Sequence, residues 1–155
     1  MCCYSLHEDR QAQVEALRQS HPVWKDFDFS LDLSDRYESR DVLKEKSFVK
    51  WFDPKPFEMY FYLMNSHLFI ASPWGYSPDC YRTWEALYLG SVPIVRDHLT
   101  YRDFDLPIIK VKRWEDISPK FLEQSSKWIF SRTYNYDQLK ISYWTARIDE
   151  LRNQL

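Results

Sequence analysis

The residues best suited to chemistry lie close together in the stretch SPWGYSPDCYRTWEALYLGSVPIV, residues 72–95. Arg82 carries a planar, permanently charged fork that suits a phosphate group. Glu85, three positions further on, carries a carboxylate that can accept hydrogen bonds from two hydroxyls, such as those of a ribose. Gly75 lets the backbone approach a ligand without a Cβ in the way. This spacing predicts a site for a nucleoside diphosphate, with Arg82 on the phosphates and Glu85 on the ribose.

Other residues around this pair complete the predicted site. Trp74 or Tyr76 can pack against a ring of the ligand. A helix that begins near Ser77 offers unpaired backbone N–H groups to a phosphate. His98 follows a short apolar strand, at a position from which it could line the same site. The candidate binding residues are Trp74, Gly75, Tyr76, Ser77, Asp79, Arg82, Glu85 and His98, and the sequence identifies no catalytic base.

Each of these features also has a purely structural explanation. Arg82 and Glu85, at positions i and i+3 of a helix, can form a solvated ion pair worth roughly a few tenths of a kcal/mol. Asp79 can serve as a capping or helix-dipole residue, and Gly90 as an ordinary helix C-cap. The helical spacing of Cys80, Trp84 and Leu87 predicts core packing.

Strands that alternate with helices must position this site. Short apolar runs predict three strands, at residues 67–72, 92–95 and 106–111. The order predicts an α/β fold, a Rossmann-like parallel sheet with helices on both faces. In such a sheet, ligands bind beyond the carboxyl ends of the strands. The candidate residues from Trp74 onward follow the first of these three strands directly.

The helices are predicted with different signals. Ser77 as N-cap, Pro78 at the first helical position and Gly90 past the end delimit one helix. Ser118-Pro119 begins another by the same device. Weaker patterns predict helices over 8–19, 53–64 and 136–155, and strands over the opening CCYSL and over 26–35. Residues 34–46 are predicted as a loop or loose helical turn.

Length and composition bound the function. The 155 residues predict one domain over 1–155, and 18% aromatic residues weakly favour a surface for sugars or nucleotides. A net charge of -2 without basic clusters argues against a nucleic-acid partner. The three cysteines predict no disulfide framework. The sequence has no apolar stretch long enough to span a membrane, so we expect a cytoplasmic protein.

Metal and cofactor sites are not expected. Asp26 and Asp28 belong to an alternating segment with an acidic face, and Asp103 and Asp105 follow a polar loop, so neither DxD string ends an apolar strand. The four histidines have no zinc-ligand spacing. We therefore predict no metal and no cofactor other than a nucleoside-diphosphate sugar as substrate.

The stretch from Phe69 to Val95, followed by LPIIKVKRWEDI, resembles the signature of exostosin-like glycosyltransferases. In that family a strand and a P-x-G turn precede a helix of the form D-x-x-R-x-x-E-A-L-x-x-G, and a V-P-I-V strand follows. The matching residues here are Pro73, Gly75, Asp79, Arg82, Glu85-Ala86-Leu87, Gly90, Pro93 and Trp114. The likeness is specific over about residues 66–118, roughly a third of the chain.

This resemblance implies the C-terminal, nucleotide-sugar-binding half of a GT-B architecture, in which two Rossmann-like domains face each other across a cleft. It implies that Arg82 contacts the donor diphosphate and Glu85 the ribose, in a transfer that needs no metal. The acceptor would be a glycan or a similar molecule.

The departure from the family is the length of the chain, which corresponds to the donor half alone. The sequence therefore leaves open a fragment, a split enzyme with an acceptor-domain subunit, or a homo-oligomer. Two rival functions also stay open: a non-catalytic nucleotide- or sugar-binding module, and a purely structural α/β domain.

Overall fold

A parallel sheet of three short strands lies at the centre of the computed structural model, which describes residues 34–75 and 77–154. The strands are β1 (Phe69–Ala71), β2 (Val92–Arg96) and β3 (Ile109–Val111), in the order β1-β2-β3. Ile70 lies opposite Pro93, and Ile94 lies opposite Ile109. The three strands and the α/β class are therefore predicted correctly.

Helices connect and flank these strands. The described α-helices are α1 (Ser34–Lys44), α2 (Phe57–Asn65), α3 (Tyr81–Tyr88), α4 (Pro119–Phe130) and α5 (Ile141–Arg152). Short 3-10 helices cover Leu99–Tyr101, Trp114–Asp116 and Tyr136–Leu139. Within the described ranges, no helix is both long and apolar enough to cross a membrane.

The two faces of the sheet carry separate apolar clusters, because neighbouring residues of a strand point to opposite faces. Ile94 of β2 packs in one cluster with Leu43 of α1 and Ile129 of α4. The next residue, Val95, packs in the other cluster with Leu87 of α3. Helices therefore cover both faces of the sheet, as the order of elements predicts.

The first described helix, α1, contradicts the sequence-based prediction of a loop or loose helical turn over 34–46. Ser34–Lys44 is a regular helix of eleven residues. Its buried face is formed mostly by polar side chains, Asp35, Arg36 and Ser39, and only Leu43 adds an apolar residue. An apolar repeat, the usual signal of a buried helix, is therefore missing here.

The start of α3 also differs from the prediction. The helix begins at Tyr81 with Cys80 as N-cap, three residues later than Ser77. Ser77 instead accepts a hydrogen bond from the backbone N–H of Asp79 at 3.2 Å, so its hydroxyl stabilises a local turn.

The predicted end of α3 is confirmed. Gly90 has φ +79°, the left-handed conformation that glycine adopts most easily. The N–H of Gly90 bonds to the carbonyl of Leu87, and that of Ser91 to the carbonyl of Ala86. These two bonds form a Schellman C-cap.

The remaining helices agree with the predictions in part. α4 is confirmed, with the Ser118 hydroxyl accepting from the N–H of Phe121. α2 begins only after Pro56, and α5 is shorter than the predicted 136–155. The strand predicted at CCYSL, the helix predicted at 8–19 and most of the strand predicted at 26–35 lie outside the described residues, as do Asp26 and Asp28. The end of that last strand is wrong, because Ser34 and Asp35 begin α1.

Candidate functional site

A cavity of about 390 Å³ lies against the face of the sheet that bears Phe69 and Ala71, and it extends to Pro73 beyond the carboxyl end of β1. Its volume falls within the range of small-molecule sites. Most of the lining is apolar, but two arginines, Arg36 of α1 and Arg82 of α3, also line it. The cavity therefore combines an apolar wall with two permanently charged groups at the predicted end of the sheet.

Arg82 is the second residue of α3, so it sits at the positive end of the helix. The residue is 5% exposed and lines the cavity. A solvated surface pair with Glu85, the structural alternative for this residue, does not describe so buried a position. Its burial strengthens its interaction with any anion that enters the cavity.

Glu85 lies one turn further along α3 and is half-buried. Its Oε2 accepts a hydrogen bond of 2.8 Å from the hydroxyl of Tyr60 in α2, and Tyr60 lines the cavity. Burial, and after it the hydrogen bond to Glu85, raise the pKa of Tyr60, while the nearby Arg82 lowers it in part. The structure thus brings Arg82 and Glu85 together around Tyr60, which sequence reasoning missed.

Trp74 and His98 are the second predicted group that the structure brings together. Their rings meet edge to face with centroids 5.0 Å apart. Nδ1 of His98 accepts from the N–H of Thr100 at 3.1 Å and lies 2.8 Å from the Thr100 hydroxyl. The indole Nε1 of Trp74 is buried and has no hydrogen-bond partner within the part of the chain that is described. Neither Trp74 nor His98 lines the cavity, so the structure places this pair beside it and not in its wall.

Asp35 was not among the predicted residues, yet it joins the ends of all three strands. Its carboxylate accepts from the backbone N–H of Trp74 after β1 at 2.8 Å and from Nη1 of Arg96 at the end of β2 at 3.1 Å. It also accepts from the indole Nε1 of Trp114 after β3 at 2.6 Å. Asp35 is 3% exposed. This one buried carboxylate fixes the edge of the sheet where the cavity ends.

The need for glycine at position 75 is explained by the side chain of Arg36, which lies close to it. A Cβ built on Gly75 would lie 2.9 Å from Nη2 of Arg36. Arg36 is 8% exposed, and its Nε is buried without a hydrogen-bond partner in residues 34–75 and 77–154. The glycine thus makes room for a buried guanidinium, and not only for the backbone to approach a ligand.

The remaining predicted residues lie around the loop before α3. Asp79 accepts a hydrogen bond of 2.6 Å from the indole Nε1 of Trp84 and is exposed, as is Ser77. Tyr76 lies outside the described residues. Asp103 and Asp105 are exposed, and no group of three or more metal-ligand side chains occurs within the described ranges.

Buried hydroxyl groups hold the start of α3 against β1. Oγ of Ser72 lies 2.9 Å from Oγ1 of Thr83, which lies 3.4 Å from the hydroxyl of Tyr101. The Tyr101 hydroxyl donates to the carbonyl of Pro78, and burial raises the pKa of Tyr101. This chain fixes the helix that carries Arg82 and Glu85.

Comparison with known proteins agrees with the resemblance read from residues 66–118. The family model for the RXYLT1 C-terminal domain matches residues 43–154, most of the chain. No curated protein matches. The match begins within α1 and covers the sheet, the whole of α3 and the cavity wall apart from Arg36 and Ser39, so it includes the elements that position Arg82 and Glu85. The chain therefore belongs to the RXYLT1 C-terminal domain family, which is related to the exostosin-like glycosyltransferases.

Proposed function

We propose that this glycosyltransferase-related module binds a nucleoside-diphosphate sugar in the cavity at the carboxyl end of β1. It would serve as the donor half of a GT-B enzyme that transfers the sugar to a glycan or similar acceptor. The observation that carries this proposal is the position of Arg82, buried at the start of α3 and lining a cavity of about 390 Å³. A buried guanidinium at a helix N-terminus favours the negative charge of a diphosphate.

The neighbours of Arg82 support the assignment of the rest of the donor. Glu85 uses Oε2 for the Tyr60 hydroxyl, and its other oxygen has lone pairs for a hydroxyl of the ribose. The Trp74 and His98 rings pack together next to the cavity and would meet the donor only at its edge. Arg82 and Glu85 thus each match a different part of a nucleoside diphosphate.

We propose that transfer needs no metal ion. In this mechanism Arg82 and the N–H groups at the start of α3 stabilise the negative charge that grows on the leaving diphosphate, because charges held in a buried site interact strongly. The acceptor and the base that takes its proton would come from a second domain or an acceptor-domain subunit.

A second candidate function is a binding module that holds the nucleotide without transferring a sugar. One observation favours it: Glu85 and His98 each already hold a hydrogen bond from a neighbour, Tyr60 and Thr100. Both groups therefore have a structural role that does not require proton transfer.

Titration calorimetry with UDP and GDP tests donor binding. Arg82→Ala is expected to weaken binding of the preferred nucleotide by about 1.5–3 kcal/mol, the range for a hydrogen bond to a charged group. Arg102→Ala is the matched control, because Arg102 lies between β2 and β3, and its side chain is 69% exposed and pairs with Asp103. If neither nucleotide binds, the proposal is wrong.

Two further measurements separate the alternatives. Sugar transfer, or slow hydrolysis of the donor sugar by the purified chain, supports the enzyme over the binding module. A nucleotide affinity that stays the same with EDTA supports the metal-independent mechanism, and a strong fall contradicts it.

A further inference from the structure

The guanidinium of Arg36 is a buried charge without a counter-charge in the described residues. Arg36 is 8% exposed, and its Nε is sealed from solvent with no hydrogen-bond partner there. A buried charge of this kind is costly unless an anion compensates it. The unsatisfied group therefore points to a ligand.

The acidic residues nearest to Arg36 in the sequence are engaged elsewhere. Asp35 accepts from Trp74, Arg96 and Trp114. Glu38 pairs with Nη1 of Arg96 at 2.7 Å. The rest of α1 therefore does not supply a carboxylate to Arg36 within the described ranges, although both acids are on the same helix.

The charged residues that line the cavity are mostly cations. Besides Arg36 and Arg82, the charged residues that line it are Lys50, Asp53 and Lys55. Four cations thus face one carboxylate, and Asp53 is exposed in the segment before α2. A ligand that carries two or more negative charges fits this lining, whereas a neutral sugar leaves Arg36 uncompensated.

The absence of a side chain at Gly75 leaves room for the Arg36 guanidinium against the loop that follows β1. Nη2 of Arg36 lies 2.9 Å from the position that a Cβ at residue 75 would occupy. Arg36 therefore approaches the turn that leads to α3, where Arg82 begins the helix. The two guanidinium groups come from elements on either side of this turn, α1 and α3.

We propose that Arg36 is a second phosphate-binding residue, which together with Arg82 holds the two phosphate groups of the diphosphate. This inference rests on the proposed function for the nature of the donor. It adds a ligand contact from α1, a helix that lies outside the stretch with the glycosyltransferase signature. Arg36 binds substrate in this assignment and takes no part in proton transfer.

The test compares Arg36→Gln with the wild-type chain by titration calorimetry, using UDP, GDP, uridine, guanosine and inorganic pyrophosphate. Arg36→Gln is expected to weaken the binding of UDP or GDP, whichever binds, by about 10- to 100-fold, and the binding of pyrophosphate similarly. The affinity for the matching nucleoside is expected to stay the same. Arg40→Gln is the control, since Arg40 lies one turn further along α1 and pairs with Asp41 near the surface.

Thermal unfolding without ligand tests whether Arg36 serves only to stabilise the fold. In that case Arg36→Gln would lower the unfolding midpoint. Removal of an uncompensated buried charge is expected to leave the midpoint of Arg36→Gln unchanged or to raise it. Arg36→Lys keeps the charge but loses the planar guanidinium group. It is expected to weaken binding of the diphosphate by a smaller factor than Arg36→Gln. If Arg36→Gln fails to fold, wild-type affinity in Arg36→Lys overturns the assignment.

The outcomes distinguish this inference from the proposed function. If the wild-type chain binds a nucleoside diphosphate and Arg36→Gln binds it equally well, Arg36 is not a phosphate ligand and the proposed function stands. If the wild-type chain binds pyrophosphate through Arg36 but neither nucleotide, the proposed function fails and the assignment of Arg36 stands. Absence of binding by all probes contradicts both.

Discussion

The carboxylate of Asp35 accepts a hydrogen bond of 2.6 Å from the indole Nε1 of Trp114, and both residues are buried. This bond joins α1 to the 3-10 helix that follows β3. The same carboxylate binds the backbone of Trp74 and the side chain of Arg96. The carboxyl edge of the sheet, where the candidate site lies, is therefore held by a residue from outside the sheet.

Replacement of this carboxylate tests its role in stability. Asp35→Asn keeps the shape but directs an amide N–H₂ at groups that are themselves donors, so we expect the free energy of unfolding to fall by about 3 kcal/mol. Urea denaturation measures it. Glu38→Gln is the control, because Glu38 pairs with the same Arg96 but its side chain is 36% exposed, and it should lose less than about 1 kcal/mol. Equal losses would contradict the central role of Asp35.

Gly75→Ala tests the close approach of Arg36. The added Cβ must push Nη2 of Arg36 away from 2.9 Å, and since this is the end of a flexible side chain we expect a loss of about 1 kcal/mol in unfolding free energy. We also expect nucleotide affinity to fall, because the guanidinium of Arg36, which lines the cavity, is displaced. Denaturation and calorimetry on one preparation measure both quantities.

Gly90→Ala provides the comparison for Gly75→Ala. Gly90 has φ +79° and ends α3 away from the candidate site, so an alanine is strained there and is expected to cost about 1–2 kcal/mol of stability. Its nucleotide affinity at 25 °C should equal that of the wild-type chain. A similar loss of affinity in both variants would mean that binding follows stability and not the position of Arg36.

Glu85 is expected to recognise the ribose. Glu85→Gln should weaken the binding of UDP or GDP, whichever binds, by about 1.5 kcal/mol or more. The reason is that a charged acceptor for the hydrogen bonds of the ribose hydroxyls is lost. The same variant should bind the 2′,3′-dideoxy form of that nucleotide as the wild-type chain does, since the hydroxyls are missing from the ligand. An equal loss for both ligands would assign Glu85 to the support of Tyr60 alone.

The buried Tyr60 makes stability depend on pH. Burial and the Glu85 hydrogen bond raise the pKa of Tyr60 above its ordinary value of 10.0, so the folded protein keeps this proton longer than the unfolded chain. The contribution is fully present below the unfolded pKa and is lost as pH rises through the folded pKa.

Substitution of Tyr60 tests this dependence. Tyr60→Phe should therefore lose less unfolding free energy than the wild-type chain between about pH 9 and about pH 11. Urea denaturation at both pH values measures the difference. Tyr62→Phe is the control on α2, because Tyr62 is 68% exposed. An identical pH dependence in wild type and Tyr60→Phe would contradict the role of Tyr60.

The parts of the fold that carry local signals could be predicted from sequence. The three strands are short apolar runs, Gly90 adopts the left-handed cap, and Ser118 caps α4. The start of α3 could not be placed, because Ser77 stabilises a turn that resembles a helix N-cap in sequence. Local patterns therefore predicted elements better than their boundaries.

The missing parts of the site depend on contacts between distant residues. Asp35 and Arg36 belong to a helix whose buried face is polar, so no apolar repeat marks it. Tyr60 lies 25 positions from its partner Glu85. No local spacing encodes these neighbours, whereas Arg82 and Glu85 lie on one helix and could be paired by counting. Sequence reasoning therefore found the part of the candidate site that lies on α3.

The bond between Asp35 and Trp114 also has a consequence for the order of events during synthesis. The two residues are 79 positions apart, so a nascent chain cannot fasten α1 across the sheet until Trp114 has left the ribosome. Contacts of such separation form late because the intervening loop must first be ordered. The cavity is thus completed only after α3 and all three strands have been synthesised. A truncated polypeptide that stops before Trp114 would carry α3 without a finished cavity.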